Sequence, residues 1–249
     1  MPHISITLNP AFADCRKQIE ELARNGVPAD AEEIFKKRNA LYRMRIGDTP
    51  AIVKAFKIPG FVNSLVYTRL RRSKALRSYI FSQKMIELGF NAPEPIAAIE
   101  VRRGGRLRES YYICREIHAC EIRHWEEHPE WPGLREALAA EMLRLHRAGV
   151  YHRDFSPGNV MIDRDDRGNY RFHYVDLNRM EFGVTDRQKL MSMFRSINLN
   201  RDELVALAEA YADVAGEDRQ RVRAEALEAY NRYMRRRERK DRLKERLRK

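Results

Sequence analysis

The stretch Tyr151-His152-Arg153-Asp154-Phe155-Ser156-Pro157-Gly158-Asn159-Val160-Met161-Ile162, followed by Tyr174-Val175-Asp176-Leu177-Asn178-Arg179, decides how this chain is read. The spacing of Asp154 and Asn159 lets one tight loop aim both side chains at a single place. The second segment puts another acid, Asp176, at the end of a short apolar run. A plainer account makes Asp154 and Asn159 ordinary turn residues around Pro157-Gly158. That explains the dipeptide but neither His152-Arg153 nor the downstream acid.

Phosphoryl transfer asks little covalent chemistry of a protein. It needs a carboxylate beside the attacking hydroxyl and oxygen ligands for the Mg²⁺ on the phosphates. The segment has the form H-R-D-x-x-x-x-N. In that pattern Asp154 is the catalytic base, and Asn159 and Asp176 are metal ligands that also hold the nucleotide. Upstream, Leu41 to Ile46 and Ala51 to Lys57 alternate around the turn Gly47-Asp48-Thr49-Pro50 and predict a β-hairpin. Period-two geometry places Ile52, Lys54 and Phe56 on one face. A strand lysine so placed can reach nucleotide phosphates, with Ile52 beside it against the nucleotide. No G-x-G-x-x-G precedes this hairpin.

A basic segment (Arg69, Arg71, Arg72, Lys74, Arg77) leads into a helix predicted from Lys74 to Leu88, with Gly89 as its stop. Ile80 stands where such a helix would carry a glutamate to orient Lys54. Gln83 and Glu87 share its stripe, and Gln83 is the expected partial substitute. Strands follow at Ile96–Val101 and Tyr111–Ile117. The second runs to a hinge at Glu116, where backbone groups would read adenine. Leu134, Leu138, Met142 and Leu145 recur at helical spacing between Pro132 and Gly149. Val160–Ile162 and Phe172–Val175 predict a hairpin that ends at Asp176, in which His173 is read as a packing residue. Thr185-Asp186-Arg187-Gln188 has the form of a capping box. The gap between Asp176 and that box is too short for a peptide-docking activation segment, and Ser156 replaces the lysine two residues after Asp154. A non-protein hydroxyl is therefore the better acceptor.

These features together resemble the lipopolysaccharide core kinases, the family of heptose and Kdo kinases. The resemblance rests on Val53-Lys54, Leu88-Gly89 with Pro93 and Pro95, His152-Arg153-Asp154, and Val175-Asp176-Leu177-Asn178-Arg179, and spans roughly residues 35–200. It implies an α+β, protein-kinase-like bilobal fold: a small β-rich N-lobe over 1–117 and a mainly helical C-lobe over 118–249. It also implies ATP with Mg²⁺ and phosphorylation of a sugar hydroxyl of lipopolysaccharide core or a related glycolipid at the inner face of a membrane. Pro157-Gly158-Asn159 is similar to aminoglycoside and choline phosphotransferases, so a small-molecule acceptor is the alternative among enzymes. Ile80 motivates a pseudokinase scaffold as the alternative outside them.

Composition bounds the remaining expectations. The 249 residues suffice for one large domain or two small ones, and no apolar run reaches a membrane span. The first fifteen residues lack a basic and apolar leader pattern, and three cysteines without metal-type pairing suit a reducing cytoplasm. The formal charge of +12 calls for an anionic partner. Pro10 to Glu33 is read as a helical lead-in. A helix from Asn200 carries Leu204, Leu207, Tyr211 and Val214 as core, and another from Glu217 carries Val222, Leu227 and Tyr230. Arg235 to Lys249 then holds ten Lys/Arg against three Asp/Glu. That tail is a candidate contact for an anionic membrane surface. Nucleic acid is disfavoured because no aromatic residues interleave the charges.

Overall fold

The computed structural model describes residues 2–58, 72–123, 131–197 and 199–246, with no side-chain detail at 131, 132, 244 and 246. Arg69 and Arg71 of the basic segment lie outside the described residues. The chain forms two compact units: Met1–His118 with His173–Asn178, and Ala119–Phe172 with Arg179–Lys249.

The first unit is built on a six-stranded antiparallel sheet. In chain order its strands are β1 (His3–Leu8), β2 (Glu32–Lys36), β3 (Ala40–Ile46), β4 (Thr49–Ala55), β5 (Pro95–Arg103) and β6 (Arg106–Arg115), and they are arranged β1-β5-β6-β4-β3-β2. The two faces bury different sets, as the two-residue period requires. Ala51, Val53, Tyr111 and Ile113 pack with Ile19, Leu22 and Ala23 of helix α1 (Arg16–Asn25). Ile52, Phe56, Tyr112 and Cys114 pack instead with Ala75 and Tyr79 of helix α2 (Lys74–Glu87). Lys54 shares this second face with Ile52 and Phe56, as the alternation predicts. The cysteines are free, and burial pushes the Cys114 thiol up to about 12, so it remains protonated at neutral pH.

The N-terminal segment differs from its helical reading. Only Arg16–Asn25 is α-helix; Pro10–Cys15 is a 3₁₀ turn capped by Asn9, and Glu32 and Glu33 open the exposed strand β2. The helix stops before Val27-Pro28, because the residue ahead of a proline is pushed out of the helical region. His3–Leu8, which the sequence reading left unassigned, pairs along β5 from His3↔Arg102 to Leu8↔Ala97. Its alternating Ile4, Ile6 and β-branched Thr7 carry the strand signal.

In the second unit, helix α3 (Trp131–Arg147) buries Leu134, Leu138, Met142 and Leu145, each no more than 1% exposed, so the predicted stripe is its core face. It packs against α5 (Arg201–Ala215), which packs in turn against α6 (Arg219–Arg246). Asn200 and Glu203 close a reciprocal capping box at the start of α5. Val214 is 45% exposed rather than core, two residues beyond the last buried position of the helix, Ala212. In α6 the fully buried positions are Val222, Ala226 and Ala229, while Leu227 and Tyr230 are half-buried. Alanines let the two helices approach closely, and the larger residues flank the seam. The cap of the short helix α4 (Arg187–Met191) is Asp186, which accepts from Lys189 N–H, one residue later than the predicted Thr185. Beyond Arg235 the described side chains of α6 are exposed. Among the described residues no helix is long and apolar enough to cross a membrane.

Candidate active site

Within the first unit, β4 presents Lys54 and the segment after β10 (Tyr170–Tyr174) presents Asp176. Lys54 Nζ donates to Asp176 Oδ1 at 2.5 Å, and Asn178 Nδ2 donates to the same oxygen at 2.5 Å. Both charged side chains are mostly covered, 17% exposed for Lys54 and 27% for Asp176. Phe56 lies beneath the ammonium, with its ring centroid 5.4 Å from Nζ. Asp176 is the only non-glycine residue with positive φ among those described, at φ 55. That left-handed backbone costs an L-residue on the order of 1–3 kcal/mol and persists only where its surroundings enforce it. Here the backbone turn aims the carboxylate at Lys54. Tyr174, two residues earlier, anchors the turn: it is fully buried, and its N–H donates to Asn91 O at 3.0 Å.

In the second unit, α3 ends at Gly149, whose φ of 64 turns the chain into β8 (Tyr151–His152). A Cβ on Gly149 would stand 3.1 Å from Val184 N, so the position demands glycine both for its backbone and for its space. Strand β8 pairs with β11 (Met180–Glu181), His152 opposite Met180. His152 is 1% exposed, and its Nδ1 accepts from Asp154 N–H at 3.2 Å. The histidine thereby fixes the backbone of the acid. Ser156 N–H donates to Asp154 O and Asn159 N–H to Ser156 O, each at 2.8 Å. Asn159 Nδ2 also donates to Asp154 O at 2.8 Å. The loop is closed around Asp154 through its main chain, and the Asp154 carboxylate has no hydrogen-bond partner among the described residues. The amide nitrogen of Asn159 is thus committed to the loop, which leaves its Oδ1 as the acceptor of that side chain.

Ile52 lines the α2 face of the sheet beside Cys114, on the same face as Lys54. Glu116 sits just past β6. Its N–H donates to Pro50 O at 3.0 Å and its carboxylate holds Arg43 Nε at 2.7 Å. Lys54 lies opposite Tyr112, so Glu116 is four residues along from the lysine's partner, roughly 13 Å of strand. Gln83 does not substitute for a helix glutamate: its amide donates to Tyr79 Oη at 3.4 Å, and Glu87 pairs with Lys84. Ile80 packs into the apolar cluster of α2. The acid that meets Lys54 is Asp176 itself.

Sequence reasoning did not foresee the contacts of three side chains around these segments. Asn178 is 4% exposed and orients Asp176; an amide side chain two residues after the acid was its signal. Glu121 and Arg123, joined at 2.9 Å, reach the catalytic loop from the two-residue strand β7 (Cys120–Glu121), which is too short to show a period. Strand β7 pairs with β9 (Val160–Arg164), Glu121 opposite Met161, directly after that loop.

The sheet with its facing helix, the left-handed acid and the closed loop are those of a protein-kinase-like α+β fold. A solved structure described as WaaP in complex with acyl carrier protein superposes with a TM-score of 0.62 at 16% identity, covering 92% of this chain and 97% of that one. Residues 60–211, more than half of the chain, match the Lipopolysaccharide kinase (Kdo/WaaP) family, and the chain belongs to that family of kinases. Among its relatives, the 3-deoxy-D-manno-octulosonic acid kinase of Vibrio parahaemolyticus serotype O3:K6 (strain RIMD 2210633) is 22% identical over 165 residues. That alignment covers 64% of this chain and 69% of the relative. The enzyme of the same description from Vibrio vulnificus (strain YJ016) is 25% identical over 132 residues, covering 51% of this chain and 56% of the relative.

Proposed function

We propose that this kinase transfers the γ-phosphoryl group of ATP to a sugar hydroxyl of lipopolysaccharide core or a related glycolipid. The observation that carries the nucleotide chemistry is the Lys54–Asp176 pair: an ammonium and a carboxylate held together by a strained backbone. Lys54 exchanges Asp176 for nucleotide phosphate oxygens. Ile52 and the chain at Glu116 contact the adenine end. Asp154 accepts the acceptor's hydroxyl proton as the new O–P bond forms and the β–γ bridging bond breaks, releasing ADP. The donor set suits Mg²⁺, which takes hard oxygen ligands, few of them from protein, and completes its shell with phosphate and water. Asp176 and Asn159 would hold it, and when bound it offsets the phosphate charge.

Family membership supports the sugar acceptor, and the named relatives act on a sugar acid. A location at the cytoplasmic side of a membrane follows from where such an acceptor meets ATP. The net charge of +12 and the exposed basic end of α6 supply the attraction. The test is mass spectrometry of lipid A–core from cells with and without the gene, paired with transfer from labelled ATP by the purified protein. A missing phosphate in the deletion strain and Mg²⁺-dependent transfer in vitro are expected. Identical glycolipids together with no transfer would refute the reading.

A further inference from the structure

We propose that Tyr151 is a positioning residue for the reaction: its buried hydroxyl tethers strand β8 and so holds His152 and Asp154 in place. This rests on the reading of Asp154 as the base above. Asp154 follows β8 by two residues, and β8 itself is only two residues long, paired with the equally short β11. A two-stranded ladder is marginal in water even at greater length. The ladder alone does not fix the acid; side chains do.

The fixing contacts all lie within the second unit. Ser192 gives its single hydroxyl proton to Lys189 O at 2.6 Å, so in its 3.1 Å hydrogen bond with Tyr151 Oη the tyrosine is the donor. Lys189 Nζ donates to Glu181 Oε2 at 2.5 Å and stands 5.4 Å from the centroid of the Tyr151 ring. Glu181 is the residue opposite Tyr151, so one lysine grips both strands. Lys189 and Ser192 are anchored in turn through α4. Its first residue, Arg187, holds Glu217 ahead of α6 and Glu225 within it, at 2.5–3.1 Å. At the other end Tyr151 is bonded to His152, whose Nδ1 accepts from Asp154 N–H. Each step from α6 to the base is a covalent or polar contact.

Folding alone needs less than this. Tyr151 is 5% exposed, where phenylalanine would bury the same ring without a hydroxyl to satisfy. One neutral hydrogen bond adds little net stability. A pair as exposed as Lys189 and Glu181, at 36% and 41%, adds little more. Placement is where the tether matters, since a shift on the order of 1 Å near a reacting group lowers the rate roughly a hundredfold.

The experiment compares wild type with Tyr151→Phe, Ser192→Ala and the double variant. Two rates are measured: transfer from ATP to a lipid A precursor bearing 3-deoxy-D-manno-octulosonic acid, and hydrolysis of ATP by water. Each single variant should lower kcat about tenfold or more, with the KM for ATP within about twofold of wild type because Lys54 and Asp176 are untouched. The melting temperature should stay close to wild type. Both substitutions cut the same bond, so the double variant should be no slower than the slower single one. Unchanged kcat in a folded Tyr151→Phe, losses that multiply in the double variant, or a KM for ATP that rises as much as kcat falls would overturn the proposal. If wild type hydrolyses ATP but phosphorylates no sugar, the sugar reading fails, and the hydrolysis rates still decide for or against Tyr151. A wild type inactive in both assays refutes Asp154 as base and this proposal with it.

Discussion

Lys54 Nζ and Asp176 Oδ1 are 2.5 Å apart although 122 residues separate them in the chain, and Asp176 adopts φ 55 to make the contact. Ile80, where a helix glutamate was expected, packs against the cluster formed by Phe56, Tyr79 and Tyr112. The lysine's orientation is therefore set by the acid assigned to the metal. In the proposed site, nucleotide binding and lysine orientation would be coupled through that one side chain.

Asp176→Asn should lower phosphoryl transfer by on the order of a hundredfold or more, because the variant loses the charge that offsets the phosphates. Asparagine tolerates the left-handed region as well as aspartate does, so the fold should survive. Steady-state transfer alongside a thermal melt checks both. Wild-type turnover in a folded variant would remove Asp176 from the proposed site.

Lys54→Ala should damage ATP use far more than stability. Ala51 and Val53 keep the opposite face of β4 in the core, and Ile52 and Phe56 keep its own face packed. The cost is a partly covered carboxylate that loses its cation, on the order of 1–3 kcal/mol. Isothermal titration with a non-hydrolysable ATP analogue should show binding weakened at least tenfold. A variant that unfolds yet retains specific activity when refolded would make Lys54 structural.

His146 should make stability depend on acidity. It is 9% exposed, its Nδ1 meets Tyr211 Oη at 2.9 Å, and Phe194 and Tyr211 pack on the ring. Burial, and then the charge of Arg187, lower its pKa from 6.5 to about 4. The unfolded chain binds the proton more readily, so the stability contribution is complete above about 6.5 and is lost as pH falls from there toward 4. At roughly 1.4 kcal/mol per pKa unit this amounts to about 3 kcal/mol. His146→Gln should flatten the melting temperature between pH 4.5 and 6.5 relative to wild type, and an unchanged slope would contradict this origin.

The sheet faces and the tight turn between Asp154 and Asn159 were legible in the sequence because each rests on a short repeat or fixed spacing. Alternation at Ile52, Lys54 and Phe56 puts them on one face, and the helical stripe of α3 follows the same logic with a different period. What was not legible depends on partners distant in sequence. His3–Leu8 becomes a strand only because β5 offers it an edge. The contact of Asn178 with Asp176 depends on what the turn after β10 brings together. The preference of α6 for Ala226 and Ala229 over Leu227 and Tyr230 reflects how closely α5 approaches, which hydrophobicity alone does not encode.

The final prediction concerns the end of α6. Val222, Ala226 and Ala229 anchor its first half, whereas beyond Arg235 the described side chains are exposed and Leu243 is 58% exposed. Removing Arg235 to Lys249 therefore takes away no buried packing among the described residues, and the melting temperature and the transfer to a water-soluble acceptor should stay close to wild type. What the deletion removes is charge: ten Lys/Arg against three Asp/Glu. Each basic residue near an anionic bilayer contributes about 1 kcal/mol, so co-sedimentation with vesicles containing anionic lipid should drop at low salt. The difference between the two proteins should shrink as salt approaches about 0.5 M, where the Debye length falls to a few ångströms. Equal vesicle binding at low salt would make this stretch a solvated helix end, and membrane attraction would then have to arise from the basic segment that includes Arg72, Lys74 and Arg77.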